Sequence, residues 1–464
     1  MNGDLAYLSI AEAATRIAAR DLSPIELTDA LIDRSAAIDP ALGSFVTRTD
    51  DFARAAAKDA ETEISAGRYR GPLHGIPIAL KEAFDTAGIR TTVGSKLLHD
   101  RVPNTDATAW ARLRDAGAVL LGKLETTEFC YGGPSDDSLF RPARNPWRAD
   151  CYAGGSSSGA GVSLASGQVM GALGTDTGGS IRLPAAYCGI TGLMPSYGLV
   201  SRTGVFPLSP TLDHVGPMAR TVEDCAILLN ALAGHDPHDP GSVARPATDY
   251  TANLGAGAKG LRVGLTGALA RDDAVSPEGI AAYHAAADTF RDLGADVREV
   301  VLPSLEDFAT AQIIITLVEG YAIHEKNLQT QRAAYSYHSR MRLSLGPFIR
   351  AVDYARALQF REKLIAQYNE TMAAFDVILA PGAPGAAPKA AGVGAFQFFR
   401  KPLVTMAANV LGVPALGVPA GISGDGLPLA VQFMSKRFDD ALVLQAGAAF
   451  QAATDWHKAR PPVG

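Results

Sequence analysis

Tyr152–Leu183 reads YAGGSSSGAGVSLASGQVMGALGTDTGGSIRL, and the rest of the chain is read outward from its two glycine- and serine-rich clusters, GGSSSG and TDTGGS. Glycine loses more backbone freedom on folding than any other residue. A globular chain carries it at this density where backbone must approach something closely, or where N–H groups must point into a site. The hydroxyls set among these glycines raise the question of a nucleophile. An alkyl alcohol attacks only once a base takes its proton, so a nucleophilic serine here needs such a base beside it.

Gly155–Gly159, GSSSG, fits the G-x-S-x-G pattern with Ser157 at its centre. That pattern needs a strand leading into the serine, and NPWRADCYAG, which precedes it, holds no β run. The nine histidines include none whose setting marks it out as a partner. GGSSSGAG also lacks the lysine of a phosphate-binding loop. A lysine in an apolar setting is the other way to activate a serine, and Gly75-Ile-Pro-Ile-Ala-Leu-Lys81 places one at the edge of an apolar run. Burial would lower the pKa of Lys81, because desolvation disfavours the charged form. A solvated Lys81 would instead pair with Glu82 or Asp85.

With 464 residues, 47% of them apolar and 19% charged, the chain can bury a large core. A formal charge of −6 and the lack of a basic stripe argue against nucleic-acid binding. Cys130, Cys151, Cys188 and Cys225 form no CxxC pair, which suits a reducing cytoplasm and core positions. The first residues lack a basic segment followed by an apolar core, and the least polar window, Gly159 to Gly174, is too short and too weakly hydrophobic to span a membrane. No His/Asp/Glu cluster has metal-ligand spacing, so no metal and no cofactor are expected.

Ser9 with Glu12 forms a capping-box signal, and Ser23-Pro24-Ile25-Glu26 repeats it with proline at the first helical position. Residues 1–67 are therefore expected to be helical, with a third helix over Asp51 to Ala66. Ile76 to Leu80, Ala118 to Leu121, Leu261 to Leu265, Asp296 to Val301 and Asp376 to Ala380 read as strands. Helices are expected over Thr108 to Ala116, over Thr221 to Leu232, after Ser276-Pro277 and through most of Phe308 to Met372. Leu164 to Leu173 reads as a helix-to-strand passage, and Val413 to Pro419 and Leu429 to Phe433 as short apolar segments. The alternation implies α/β layering. GHDPHDPGS, holding His235 and His238, reads as a surface loop and as the best place for a break between the N-terminal half and the remainder.

These motifs together resemble the amidase signature family. The matching pieces are GPLHGIPIALK (Gly71 to Lys81), GIRTTVGSKLL (Gly88 to Leu98), DATAWARLRDAGAVLLGKLETTEF (Asp106 to Phe129), AGGSSSG (Ala153 to Gly159) and GTDTGGSIRLPAAYCGITGLMPSYG (Gly174 to Gly198). LDHVGPMARTVED (Leu212 to Asp224) and NVLGVPALGVPAG (Asn409 to Gly421) extend the match. The resemblance implies one three-layer α/β/α domain over residues 1–464, with a large twisted mixed sheet and a variable helical region at 305–372. It implies Lys81 as general base, Ser156 as bridging serine after a cis Gly155–Ser156 peptide, and Ser180 as nucleophile. Thr177, Gly178, Gly179 and Ser180 correspond to the oxyanion hole. Asp176 and Arg182, with Gly155 and Ser157, would support these groups.

By the same resemblance, Tyr131, Gly132 and Gly133 fall where the substrate pocket is lined. Tyr321, Tyr335, Tyr337 and Phe348 would either build an apolar part of that pocket or serve as core. The implied activity is hydrolysis of a linear amide through an acyl-enzyme. Alternatives are a carbamate, aryl-amide or ester substrate, the glutaminase role in an amidotransferase, or a non-catalytic scaffold. Sparse charge around Phe129 to Gly133 leads to the expectation of an uncharged small-molecule amide or carbamate. The chain is expected in the cytoplasm as a monomer or homodimer, with no nucleic-acid or membrane partner. Glu82 in place of the family's usual aspartate, Ala153 in place of a common proline, and Ser158-Gly159-Ala160 in place of Gly-Gly-Ser leave the three inferred catalytic groups intact.

Overall fold

The computed structural model describes residues 5–463. Its strands are β1 (Phe45–Arg48), β2 (Pro77–Lys81), β3 (Val119–Leu124), β4 (Gly171–Asp176), β5 (Thr191–Met194), β6 (His214–Ala219), β7 (Arg262–Thr266), β8 (Asp296–Val300), β9 (Val377–Pro381), β10 (Ala415–Ile422) and β11 (Pro428–Met434). All eleven join one sheet in the order β1-β3-β2-β4-β6-β5-β10-β11-β9-β7-β8. β3, β2 and β4 run parallel, as do β9, β7 and β8, while the pairings between these two wings are antiparallel. The sheet is thus mixed, and the fold is an α/β layered one.

Successive side chains of a strand point to opposite faces, and two cores record this. Val377, Leu379 and Phe433 belong to one apolar cluster, whereas Ile378, Ala380 and Met434 belong to another. β2, β3, β4 and β9 are buried along their whole length. Such burial requires cover on both faces of the parallel wings, which the helices supply.

Local signals formed the elements they announce. Ser9 and Glu12 make a complete capping box on helix Ile10–Ala18, and Ser23 caps Pro24–Leu42 with proline inside the first turn. Helices Leu305–Thr330, Tyr337–Leu343 and Ala351–Thr371 fill the expected helical region. Residues 1–67 are not wholly helical, however, because β1 lies within them and pairs antiparallel with the edge of β3. Its four residues are too few to show a period, and only pairing defines them. β5 and β6 escaped sequence reading for the same reason, being short runs broken by glycine or proline. The loop at 234–242 does not divide the sheet, since strands from both sides of it share one ladder.

Candidate active site

β2 and β4 run parallel with Leu80 opposite Leu173, so their carboxyl ends lie side by side. Ligand sites in α/β sheets form beyond such ends. Lys81 closes β2 and is fully buried, and its Nζ lies 2.7 Å from Ser156 Oγ and 2.6 Å from Thr175 Oγ1. Burial lowers the Lys81 pKa from its ordinary value, against the smaller opposing pull of Cys130, Asp176 and Asp213. Neither acid proposed for a solvated Lys81 is its partner. Glu82 accepts from the Thr92 and Gly94 N–H groups and the Thr92 hydroxyl, and Asp85 pairs with Arg101 at 2.7 Å.

Ser156 follows a cis peptide with Gly155. Ser156 and Ser180 line one cavity of about 70 Å³, together with Gly155, Thr177, Gly178 and Gly179. No hydrogen bond joins the two serine hydroxyls among the described residues, and no histidine lines this cavity. Ser157 is fully buried, its Oγ lying 3.4 Å from the Thr175 carbonyl. No strand runs into it, as the last before it is β3.

Asp176, the last residue of β4, organises the loop that carries Ser180. Its carboxylate accepts from the N–H groups of Gly179 (2.7 Å) and Ile181 (3.0 Å) and from both Nε (3.1 Å) and Nη2 (3.0 Å) of Arg182. Asn409 donates to the same carboxylate at 2.9 Å, and Arg182 is further held by Asn409 and Gln432. Burial alone would raise the Asp176 pKa. The Arg182 charge and the hydrogen bonds from Arg182, Asn409 and Ile181 outweigh it and hold the carboxyl well below the usual range. Since the Gly179 N–H is given to Asp176, the amides left open in this loop are those of Thr177, Gly178 and Ser180. Gly179 itself has φ +129°, and a Cβ there would strike Thr405.

Tyr131 and Gly132 line the cavity, but Gly133 is turned toward His338 and Val393 instead. Helix Leu305–Thr330 contributes Gln312, Ile313 and Thr316. None of the four aromatic candidates of the helical region is among the lining residues. Tyr335 packs on Phe129 and His324, while Phe348 is 81% exposed. The ring faces come from Tyr131, Phe398 and Phe399, which surround the Arg342 guanidinium at 5.4–5.6 Å.

Arg342 brings a cation to a pocket whose local sequence, Phe129 to Gly133, is sparse in charge. It is 4% exposed, is in no ion pair among the described residues, gives its Nε–H to the Ala395 carbonyl and leaves its Nη2 without a partner. Arginine stays charged even where burial lowers its pKa. Nothing in the local sequence singles it out, because its partners come from Tyr131 and residues 395–399. Thr175, by contrast, sits inside the Tyr152–Leu183 stretch, five residues before Ser180, and Asn409 opens the motif NVLGVPALGVPAG. Among the described residues, no group of three metal-ligating side chains comes together, and no helix is long and apolar enough to cross a membrane.

A family model described as amidase matches residues 26–444. A glutamyl-tRNA(Gln) amidotransferase subunit from Roseiflexus sp. is 38% identical over 488 residues, covering 98% of each chain. Among solved structures, the peptide amidase of Stenotrophomonas maltophilia superposes with a TM-score of 0.86 at 32% identity, covering 98% of each chain. A chain from a vestigial protein complex tied to the evolutionary origins of an s-triazine catabolic enzyme gives 0.89 at 34% identity, over 96% of this chain and 98% of that one.

Proposed function

The chain belongs to the amidase family, the amidase signature enzymes that hydrolyse C–N bonds, and on that premise we propose that it cleaves a small linear amide carrying an anionic group. Lys81 is the general base, Ser156 the bridge and Ser180 the nucleophile. The observation that carries the chemistry is the contact of buried Lys81 Nζ with Ser156 Oγ, in a cavity that Ser156 shares with Ser180. With Nζ neutral, its lone pair accepts the Ser156 proton while an N–H donates to Thr175. Ser156 then takes the Ser180 proton as Ser180 Oγ attacks the carbonyl carbon. The open N–H groups of Thr177, Gly178 and Ser180 meet the oxygen on which charge develops, where fixed donors act most strongly. The C–N bond breaks as the relay returns a proton to nitrogen, and water later releases the acid from Ser180.

Arg342 supports the anionic substrate. A buried charge without a counter-charge is costly, and a carboxylate entering the cavity that Arg342 lines would supply one. Arg342→Met is expected to lower kcat/KM for a carboxylate-bearing amide, relative to its neutral isostere, by about 10–200-fold, since a hydrogen bond to a charged group contributes about 1.5–3 kcal/mol. Equal losses for the two substrates would refute the assignment. A second reading, the glutaminase component of an amidotransferase, is favoured by the 38% identity over 98% of the chain. Turnover by the purified chain alone separates the two, because the second reading requires a partner for full activity.

A further inference from the structure

A second cavity, of about 180 Å³, adjoins that of Ser180 through shared walls and reaches Thr175, the partner of Lys81 Nζ. Cys130, Thr175, Thr177, Val205, Asp213 and His214 are among its walls, and Cys130, Thr177 and Leu208 also face the cavity of Ser180. Its volume far exceeds the roughly 10–15 Å³ that one water needs. We propose that this cavity receives the leaving amine, and that Val205 limits the size of the nitrogen substituent the enzyme releases. The inference rests on the Lys81–Ser156–Ser180 reading above.

The leaving nitrogen must collect a proton from the relay before it departs. It therefore lies on the side of the relay, and Thr175, which touches Lys81 Nζ at 2.6 Å, is a wall of this second space. The step balances: the Ser180 Oγ–carbon bond forms, the carbon–nitrogen bond breaks, the proton that Ser180 gave to Ser156 ends on nitrogen, and Lys81 returns to Ser156 the proton it had taken.

The walls also suit an amine. His214 is 3% exposed, and its Nδ1 lies 2.7 Å from the Leu212 carbonyl, so Nδ1 carries the proton. Its Nε2 is then an acceptor that has no partner and is itself buried behind the cavity wall. Burial pushes the His214 pKa down to about 4, which keeps that lone pair free near neutrality. The Asp213 carboxylate takes the Thr177 hydroxyl at 2.6 Å on one oxygen and the Leu208 and Ser209 N–H groups on the other, so it is a wall held in place by three donors. Arg202 and Asp239, also in the lining, neutralise each other at 2.8 Å. The cavity thus presents a carboxylate and no unpaired cation to a group that arrives with N–H donors. Val205 lines this cavity and not that of Ser180.

The test holds the carboxylate-bearing acyl part constant and changes the leaving amine from ammonia to methylamine to aniline. Val205→Phe is expected to lower the aniline-to-ammonia ratio of kcat/KM at least tenfold, and Val205→Ala to raise it severalfold. The rise cannot come from misfolding, so Val205→Ala decides if Val205→Phe does not fold. A parallel series lengthening the acyl part, with ammonia as leaving group, is expected to shift less than twofold. Leaving-group ratios that ignore both variants, or a shift confined to the acyl series, would overturn the proposal. Ser180→Ala runs alongside: turnover by that variant removes the site reading and this proposal with it. An inactive Ser180→Ala beside insensitive leaving-group ratios removes the cavity proposal alone.

Discussion

Replacing Lys81 by alanine is expected to lower kcat/KM by about 10⁴-fold or more while leaving the fold intact, as loss of one member of a proton relay does in serine hydrolases. Methyl for aminobutyl removes the amine in contact with Ser156 Oγ. Ser156→Ala acts on the same step, so the double variant is expected to lose little beyond either single one. In the wild type, kcat/KM should rise with pH as Lys81 loses its proton, with a midpoint below 10.5 because burial disfavours the ammonium. Two buried carboxyls titrate nearby, Asp213 pushed up to about 6 and Glu125 to about 7, both chiefly by burial. The pH profile therefore has to be measured beside Lys81→Ala. Near-wild-type turnover by that variant would end the assignment, whatever the profile.

Asp176→Ala is expected to cost about 3–5 kcal/mol of unfolding free energy, the usual penalty for stripping one partner from a buried ion pair. Both Asp176 and Arg182 are fully buried, 3.0 Å apart, so the guanidinium would be left without a counter-charge. Asn409 and the Gly179 and Ile181 amides would lose their acceptor as well. The wild-type carboxyl is held below its ordinary pKa of 3.8 by Arg182 and its hydrogen bonds. Its contribution is therefore present above that ordinary value and is lost as pH falls through the folded-state pKa. Chemical denaturation across pH 2–7 reads both effects: the variant should be less stable near neutrality and show a shallower decline in acid. A loss below about 1 kcal/mol would show that the pair does not organise the loop.

The parts of the site that sequence reading reached are those written in contiguous motifs. Lys81 stands out because an apolar run ends in a charge, and Ser156 and Ser180 because they sit among glycines that exclude side chains from the cavity. The family resemblance joined them, for nothing in spacing alone puts residue 81 against residue 156. What sequence reading did not reach depends on pairing across long separations. β1, β5 and β6 are strands only by virtue of their neighbours. Arg342 was missed because an arginine in a helix reads as solvated, and only residues 395–399 and Tyr131 bury it. Asn409 and Gln432 reach Arg182 from more than 220 positions away. The Gly179 amide shows a subtler gap. Its place in TGGS suggested a free donor, and only the rotamer of Asp176 reveals that it is occupied.

The central claim is that Ser180 carries the acyl group, and covalent labelling tests it most directly. The purified chain is treated with a fluorophosphonate, checked by intact mass for a single adduct, digested and mapped by tandem mass spectrometry. The expected result is one label on Ser180, suppressed in Lys81→Ala. A label on Ser157, whose hydroxyl is buried against the Thr175 carbonyl, would contradict it.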